Sequence, residues 1–218
     1  MKYIIVTGGA GFIGTNLCVN LLSKGKNVIC VDNFYCCPMN EMIRELSNKY
    51  QNFTIINKSV TNLSVNDIGE NIQIEEIYHL ACPASPPIYQ KDPIFTLDTN
   101  YLGTRNLLEI ARTFRSKILL GSTSEIYGDP SNDLQKEEYW GNVNPIGERS
   151  CYDEGKRISE TLFYEYRKKY QLDAKIVRIF NTYGPYMNKN DGRVVSNFIN
   201  QAIRGEDITI YGNGSQTR

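Results

Sequence analysis

The stretch YIIVTGGAGFIG, residues 3–14, constrains the fold of this chain more than any other part of its sequence. It places the spacing G-x-G-x-x-G, at Gly9, Gly11 and Gly14, between a short apolar run and the start of an amphipathic stretch. Gly8, Gly11 and Gly14 also satisfy the looser spacing G-x-x-G-x-x-G. Glycines at these places permit a tight turn, close approach of a pyrophosphate to backbone N–H groups, and close packing of a helix on a strand. The turn therefore predicts a dinucleotide-binding unit.

An acidic residue follows this turn at the distance that such a unit requires. Asp32 ends a second apolar run, NVICVD, and stands 18 residues after Gly14. In dinucleotide-binding folds, an acid about 20 residues past the turn receives the adenosine ribose hydroxyls. Because a carboxylate repels a 2′-phosphate, the sequence favours NAD over NADP. The alternative is an ordinary turn followed by an acid that caps a strand end.

Short apolar runs alternate with amphipathic stretches along the chain, which is the pattern of β-α-β units. The sequence therefore predicts an α/β protein with a Rossmann-type, doubly wound parallel sheet. The predicted strands are 3–6, 27–31, 53–57, 75–81, 117–122 and 174–180. The predicted helices lie near 11–24, 40–49, 92–115 and 152–170. We assign 1–185 to the dinucleotide-binding domain and 186–218 to the incomplete beginning of a small C-terminal substrate domain.

The last two predicted helices each carry an apolar face at helical spacing. Such a face packs into the core or forms a seam between two subunits, and the sequence leaves both possibilities open. The residues of these faces are Leu97, Tyr101, Leu108 and Ala111 in the first helix and Ile158, Leu162, Tyr166 and Tyr170 in the second.

Composition argues against several other classes of protein. Lys+Arg and Asp+Glu both number 24, so charge does not indicate a nucleic-acid partner. The sequence has neither a signal-peptide pattern nor a run of about 18 apolar residues, so we expect a cytoplasmic protein without a membrane partner. The six cysteines lack metal-like spacing, and we expect reduced thiols. The single histidine, His79, argues against a metal site and a Ser-His-Asp triad, and we expect it at a strand end.

The pair Tyr152 and Lys156, in RSCYDEGKR, is the candidate for acid–base chemistry. A helix brings positions i and i+4 onto one face, so the phenol and the ammonium would lie side by side. A neighbouring positive charge stabilises phenolate and is expected to lower the tyrosine pKa. By itself this spacing is also compatible with a surface tyrosine that precedes a lysine.

Taken together, TGGAGFIG, Asp32, STSEIYGDP (122–130) and the Tyr152–Lys156 pair resemble the extended short-chain dehydrogenase/reductase family. Longer segments are similar to the UDP-glucuronic acid decarboxylases, or UDP-xylose synthases, of that family. The resemblance implies conversion of UDP-glucuronate to UDP-xylose and CO₂ by C4 oxidation, β-keto acid decarboxylation and C4 re-reduction, with tightly bound NAD and in a homodimer. The segments are HLACPASPPIY (79–89), 137–157, RIFNTYGP (178–185), DGRVVSNFI (191–199) and YGNGSQTR (211–218).

The resemblance also implies roles for individual residues. Tyr152 would be the base, Lys156 its neighbour and a nicotinamide-ribose contact, and Thr123 a partner at the sugar 4-hydroxyl. Ser124 and Glu125 would complete the catalytic site around C5. The implied cofactor contacts are Gly8, Gly11, Phe12, Ile13, Gly14, Asp32, Asn33, Phe34, Ser59, Val60, Leu80, Thr99, Tyr152, Lys156 and Thr182. The implied substrate contacts are Tyr89, Asn181, Arg193 and Arg218.

The chain departs from the family pattern at two positions and in length. Ser59 stands where the family usually has an aspartate near the adenine, and Asp98 where many relatives have a lysine. Family members continue past the position of Arg218, and the arginine that holds the substrate carboxylate lies in that continuation. Two alternatives stay open: a nucleotide-sugar 4,6-dehydratase or 4-epimerase, and a truncated NAD-binding module without turnover.

Overall fold

The computed structural model describes residues 1–36, 38–69, 72–131, 134–189, 191–210 and 212–214. At its centre lies a parallel sheet of six strands in the order β3-β2-β1-β4-β5-β6, which confirms the predicted fold class. The chain reverses the direction of winding between β3 and β4, on either side of β1, and open α/β sheets bind ligands at such a switch point. The strands are β1 (Lys2–Thr7), β2 (Asn27–Asp32), β3 (Phe53–Asn57), β4 (Gln73–His79), β5 (Lys117–Thr123) and β6 (Ala174–Ile179).

Helices cover both faces of the sheet, and the four predicted ones are present. The predicted helix near 92–115 consists of two α-helices, which a π-helical turn, Thr99–Gly103, joins into one continuous helical run. Short 3₁₀ turns lie at Val60–Asn62, Val65–Asp67 and Ser124–Tyr127. The α-helices are α1 (Phe12–Ser23), α2 (Glu41–Lys49), α3 (Pro86–Tyr89), α4 (Pro93–Asp98), α5 (Thr104–Phe114), α6 (Ser150–Tyr170) and α7 (Val194–Arg204).

The sheet has an apolar core on each face, as a parallel sheet covered on both sides requires. Alternate residues of β1 divide between the two cores: Ile4 and Val6 pack towards α1 and α2, whereas Ile5 packs towards α5 and α6. All three are at most 3% exposed. Burial of both faces explains why β1, β2 and β5 appear in the sequence as short continuous apolar runs.

The two apolar helix faces are only partly buried. Leu108 is fully buried on α5, but Leu97 on α4 and Tyr101 in the π turn are 36% and 40% exposed. The wider π turn changes the register between the two ends of this run, so one face does not continue through it. On α6, Ile158 and Tyr170 are each 40% exposed. The buried face of α6 is instead formed by Tyr152, Gly155, Lys156, Ser159 and Phe163.

Within the described ranges, no helix combines the length and the apolar character needed to cross a bilayer.

Candidate cofactor and active site

The glycine turn sits between β1 and α1 and depends on the absence of side chains. Gly8 has φ of +66°, which favours glycine, and its N–H donates to the Val31 carbonyl at 2.9 Å. A Cβ on Gly14 would lie only 2.1 Å from the Gly8 carbonyl oxygen. Gly11 begins α1 without a side-chain cap, and a Cβ there would meet only the Gly8 oxygen, at 3.2 Å. Gly8 and Gly14 therefore allow the turn and helix to pack, whereas Gly11 leaves space above the turn.

Asp32 connects the end of β2 to this turn. Its Oδ2 accepts from the Ala10 N–H at 3.0 Å, and its Oδ1 accepts from the Phe34 N–H at 2.8 Å. Burial raises the pKa of the carboxyl group, and the backbone hydrogen bonds act in the opposite direction. Phe34 has a left-handed φ of +55°, and the exposed Asn33 accepts from the Tyr35 N–H. The predicted acid thus lies directly against the glycine turn.

Asn40 supports the same turn, although the sequence analysis did not identify it. Its Nδ2 donates to the Ala10 carbonyl at 2.8 Å and to Thr15 Oγ1 at 3.0 Å. Its Oδ1 accepts from the Ile43 N–H and so caps α2. An asparagine before a helix is a recognisable capping signal, but nothing in the local sequence shows that the cap also holds the turn.

Two distant segments pass close to the glycine turn. The Leu80 N–H donates to the Thr7 carbonyl, and a Cβ on Gly8 would meet the Leu80 carbonyl carbon at 2.8 Å. From the other direction, the Pro185 carbonyl accepts from Asn16 on α1 at 2.9 Å. The switch point is therefore bordered by the chain after β4 and the chain after β6.

Four more of the predicted cofactor residues have structural partners of their own. Ser59 follows β3, and its hydroxyl lies 2.8 Å from that of Thr61. Val60 is 4% exposed, and a Cβ on Gly103 would collide with its side chain. The remaining two side chains bond to nearby carbonyls: Thr99 Oγ1 donates to Phe95 O at 2.7 Å, and the exposed Thr182 donates to Phe180 O at 2.8 Å.

Tyr152 and Lys156 lie one turn apart on the buried face of α6, as predicted, and are 7% and 4% exposed. Lys156 Nζ donates to the Gly121 carbonyl of β5 at 2.9 Å. The expectation of a lowered tyrosine pKa is wrong for this structure, because burial raises the pKa of Tyr152. A hydrogen bond with Thr123 and the positive charge of Arg193 act in the opposite direction.

The run STSE continues from β5 into the 3₁₀ turn, so its side chains reach the carboxyl edge of the sheet. Thr123 Oγ1 accepts from the Glu125 N–H at 3.2 Å, and Ser124 is half-buried between them. The Glu125 carboxylate accepts from Arg149 Nη2 at 2.5 Å. Its negative charge raises the pKa of Tyr152, so the carboxylate and the phenol interact electrostatically. The sequence analysis did not identify Arg149, which is distant from Glu125 in sequence.

Of the four predicted substrate residues, Tyr89 and Arg193 lie beside Tyr152. Tyr89 is 1% exposed, its ring stacks on that of Tyr152, and its buried hydroxyl has no hydrogen-bond partner in the described part of the chain. Arg193, at the start of α7, is held by both carboxylate oxygens of Asp191. Asn181 is exposed after β6, and Arg218 lies outside the described residues.

His79 ends β4, which confirms its predicted place at a strand end. Its ring nitrogens lie 3.0 Å from the hydroxyls of Thr7 and Thr104, and it is 2% exposed. Among the residues that the structure describes, no group of His, Cys, Asp and Glu side chains is arranged to hold a metal ion.

Comparison with known proteins identifies relatives over nearly the whole chain. Residues 4–218 match the family described as the NAD dependent epimerase/dehydratase family. The chain is 50% identical to UDP-glucuronic acid decarboxylase 1 of Xenopus tropicalis over 217 residues, which covers 100% of this chain and 50% of that protein. The chain therefore spans about half the length of this curated relative.

Solved structures share the fold. Pal from Bacillus thuringiensis aligns with a TM-score of 0.86 at 32% identity, over 100% of this chain and 68% of that one. UDP-glucuronic acid 4-epimerase from Bacillus cereus, in complex with NAD, aligns with a TM-score of 0.80 at 27% identity. That alignment covers 99% of this chain and 68% of the epimerase.

Proposed function

This chain belongs to the NAD dependent epimerase/dehydratase family, and from that membership we propose that the complete protein converts UDP-glucuronate into UDP-xylose and CO₂ with bound NAD. The observation that carries the proposal is the convergence of Thr123, Glu125 and Tyr152 at the carboxyl edge of the sheet, the edge at which the glycine turn also lies. The choice of substrate is supported by the 50% identity to a UDP-glucuronic acid decarboxylase.

The residues at the switch point fit a dinucleotide. The open side of Gly11 and the uncapped start of α1 suit a pyrophosphate, since the first N–H groups of a helix have no partners within it. Asp32 would accept the adenosine ribose hydroxyls, with Asn33 and Phe34 beside it, and a hydroxyl at Ser59 would meet the adenine. When bound, NAD accepts a hydride from the sugar C4 and returns it at the end of the cycle.

Tyr152 would take the proton of the sugar 4-hydroxyl, and Thr123 would share that hydrogen bond. The buried phenol requires stabilisation of its anion, which Thr123, Lys156 and the bound cofactor would provide together. Once C4 is a carbonyl, the C5 carboxylate belongs to a β-keto acid and leaves as CO₂, because the carbonyl accepts the electron pair. Tyr152 and Thr123 would then donate to the resulting enolate oxygen.

Two further sets of residues would serve the carboxylate end and the nucleotide end of the substrate. Ser124 and Glu125 follow Thr123 at the edge of the sheet and would surround C5 during loss of CO₂ and reprotonation. Arg193 would contact the diphosphate, and the unpartnered hydroxyl of Tyr89 would receive a hydrogen bond from, or donate one to, the sugar nucleotide.

The domain division and the assembly form part of the same proposal. Residues 1–185 would bind NAD, and 186–218, including α7, would begin the nucleotide-sugar domain. Apolar side chains exposed on α4, the π turn and α6 would pack against a second subunit in a homodimer. Leu97, Tyr101 and Ile158 support this, since they are 36%, 40% and 40% exposed.

Incubation with UDP-glucuronate and NAD, followed by mass analysis, tests the activity. The 218-residue chain is assayed beside a C-terminally extended version that carries the additional segment of the matched relatives. UDP-xylose from either version, lost in Tyr152→Phe, is the expected result. Product from the extended version alone would show that turnover requires the additional segment.

A retained hexuronate would instead favour a 4-epimerase, and the fold similarity to UDP-glucuronic acid 4-epimerase is the observation behind this second candidate. Loss of mass corresponding to CO₂ separates the two reactions. Failure of both versions to consume UDP-glucuronate would overturn the proposed substrate.

A further inference from the structure

Arg149 connects two parts of the candidate active site that are far apart in sequence. Its carbonyl accepts from the N–H groups of Tyr152 and Asp153 at 3.0 and 3.1 Å, so its backbone starts the helix that carries the tyrosine. Its guanidinium donates to Glu125 Oε2 at 2.5 Å, beyond the end of β5. One residue therefore ties the acid after β5 to the first turn of α6.

The guanidinium also faces two other groups. Its Nη2 lies 4.0 Å from Asp153 Oδ1, and it interacts electrostatically with the hydroxyl of Tyr89. The Glu125 and Asp153 side chains are 16% and 13% exposed, so water screens this cluster less than it screens a surface pair. The Arg149 side chain is 45% exposed and stays accessible from the solvent side.

We propose that Arg149 is a positioning residue that holds the Glu125 carboxylate at a fixed distance from Tyr152 and offsets its charge there. This inference rests on the proposed function. Without the guanidinium, Glu125 would lose its ion pair with Arg149 at the end of β5, and its negative charge would oppose formation of the Tyr152 phenolate more strongly. The residue acts through Glu125 and Tyr152 and needs no contact with the substrate.

The pH dependence of Tyr152 involves charged and titratable groups from every element around it. These groups are Cys82 after β4, Tyr89 on α3, Glu125 after β5, Lys156 on α6, and Arg193 at the start of α7. A change at position 149 acts directly on Glu125 and on Tyr89, because both interact with the Arg149 guanidinium.

Variants of the version that is active with UDP-glucuronate test this role. Arg149→Gln removes the charge, Arg149→Lys retains it, and Arg204→Gln removes a distant exposed arginine that lies 3.9 Å from Glu206. We expect Arg149→Gln to lower kcat about 10- to 100-fold, as misplacement of a supporting group does. We expect the acid limb of its kcat–pH profile to move about one unit higher. Arg149→Lys should recover part of both effects, and Arg204→Gln should match the wild type.

The same variants in a Glu125→Gln background complete the test. If Arg149 acts through Glu125, then Arg149→Gln should cost less than about threefold in kcat in that background and should not move the acid limb. An unchanged profile for Arg149→Gln in the wild-type background, or an equal loss with and without Glu125, would overturn the inference. UDP-xylose formation by the wild type in the same assay separates that outcome from failure of the proposed function. If the proposed function is wrong, neither the wild type nor the variants form UDP-xylose.

Discussion

The rings of Tyr89 and Tyr152 stack with their centroids 5.0 Å apart and an angle of 9° between their planes. The Tyr152 ring is thereby fixed from one side by α3, while Thr123 bonds its hydroxyl from β5. A phenol that transfers protons must be held within a narrow range of positions, and packing by an aromatic neighbour achieves this without adding charge.

Substitutions of Tyr89 should distinguish the role of its ring from the role of its hydroxyl. Tyr89→Phe keeps the stack and removes a buried hydroxyl that has no hydrogen-bond partner among the described residues but interacts with the charge of Arg149. These two effects oppose each other, so we expect the free energy of unfolding to change by less than about 1 kcal/mol. If that hydroxyl meets the sugar nucleotide, KM should rise about 5- to 10-fold with little change in kcat. Urea unfolding and steady-state kinetics measure the two effects.

Tyr89→Leu is the matched variant that keeps an apolar side chain without the aromatic ring. Because an aromatic pair contributes about 0.5–1.5 kcal/mol beyond its buried area, we expect kcat to fall about 10-fold as Tyr152 loses its fixed orientation. Equal kcat values for the Phe and Leu variants would show that the stack does not position Tyr152.

Two glycines of the turn should behave differently when each becomes alanine. In Gly14→Ala the new Cβ would lie 2.1 Å from a backbone oxygen, so we expect a loss of about 2–4 kcal/mol in the free energy of unfolding. In Gly11→Ala the nearest contact would be 3.2 Å, so stability should change by less than about 1 kcal/mol. NAD affinity should nevertheless fall at least about 10-fold in Gly11→Ala, because the methyl group enters the space for the pyrophosphate.

Calorimetry and fluorescence titration with NAD measure these two quantities on the same samples. Tight NAD binding by a stably folded Gly11→Ala protein would contradict the assignment of the pyrophosphate to this turn.

Much of the fold follows from local patterns. Strands β1, β2 and β5 each have a continuous apolar run, because both faces of the sheet are buried along them. The glycine turn and Asp32 are separated by one β-α-β unit, whose nearly constant length makes their spacing informative. The predicted cofactor edge of the sheet therefore required no knowledge of long-range contacts.

The parts that sequence reasoning missed depend on tertiary proximity. Arg149 reaches Glu125 and Asn40 reaches Ala10 across 24 and 30 positions in the chain, with no local signal for either contact. How far the apolar face over 92–115 is buried also depends on the π turn, whose extra width has no pattern in the sequence. The raised pKa of Tyr152 has the same origin, because burial depends on how α3 and α6 pack.

Acidic substitutions on the exposed helix faces should dissociate the proposed homodimer. Leu97→Asp combined with Ile158→Asp would place charges in an apolar contact, so we expect light scattering to give the monomer mass at about 1 μM protein. Ile203→Glu is the control, since Ile203 is 78% exposed on α7, away from these helices. A monomeric wild type, or an unaltered mass for the double variant, would contradict the proposed interface.

His79 should make stability depend on pH in a defined direction. Burial, and secondarily the charge of Lys156, lower the pKa of its imidazole from 6.5 to about 3 in the folded chain. Because the unfolded chain binds this proton near pH 6.5 and the folded chain does not, stability is complete above that pH. It falls as the pH drops from 6.5 towards 3, by about 2 kcal/mol at pH 5 from this group alone.

As the only histidine in the sequence, His79 gives a single imidazole Hε1 signal by NMR, which should keep its neutral chemical shift to pH 5 while the protein stays folded. Urea unfolding near pH 7 and pH 5 should show the loss, and His79→Asn should reduce the difference between the two. A midpoint of the NMR titration near 6.5 in the folded protein would contradict the buried, neutral imidazole between Thr7 and Thr104.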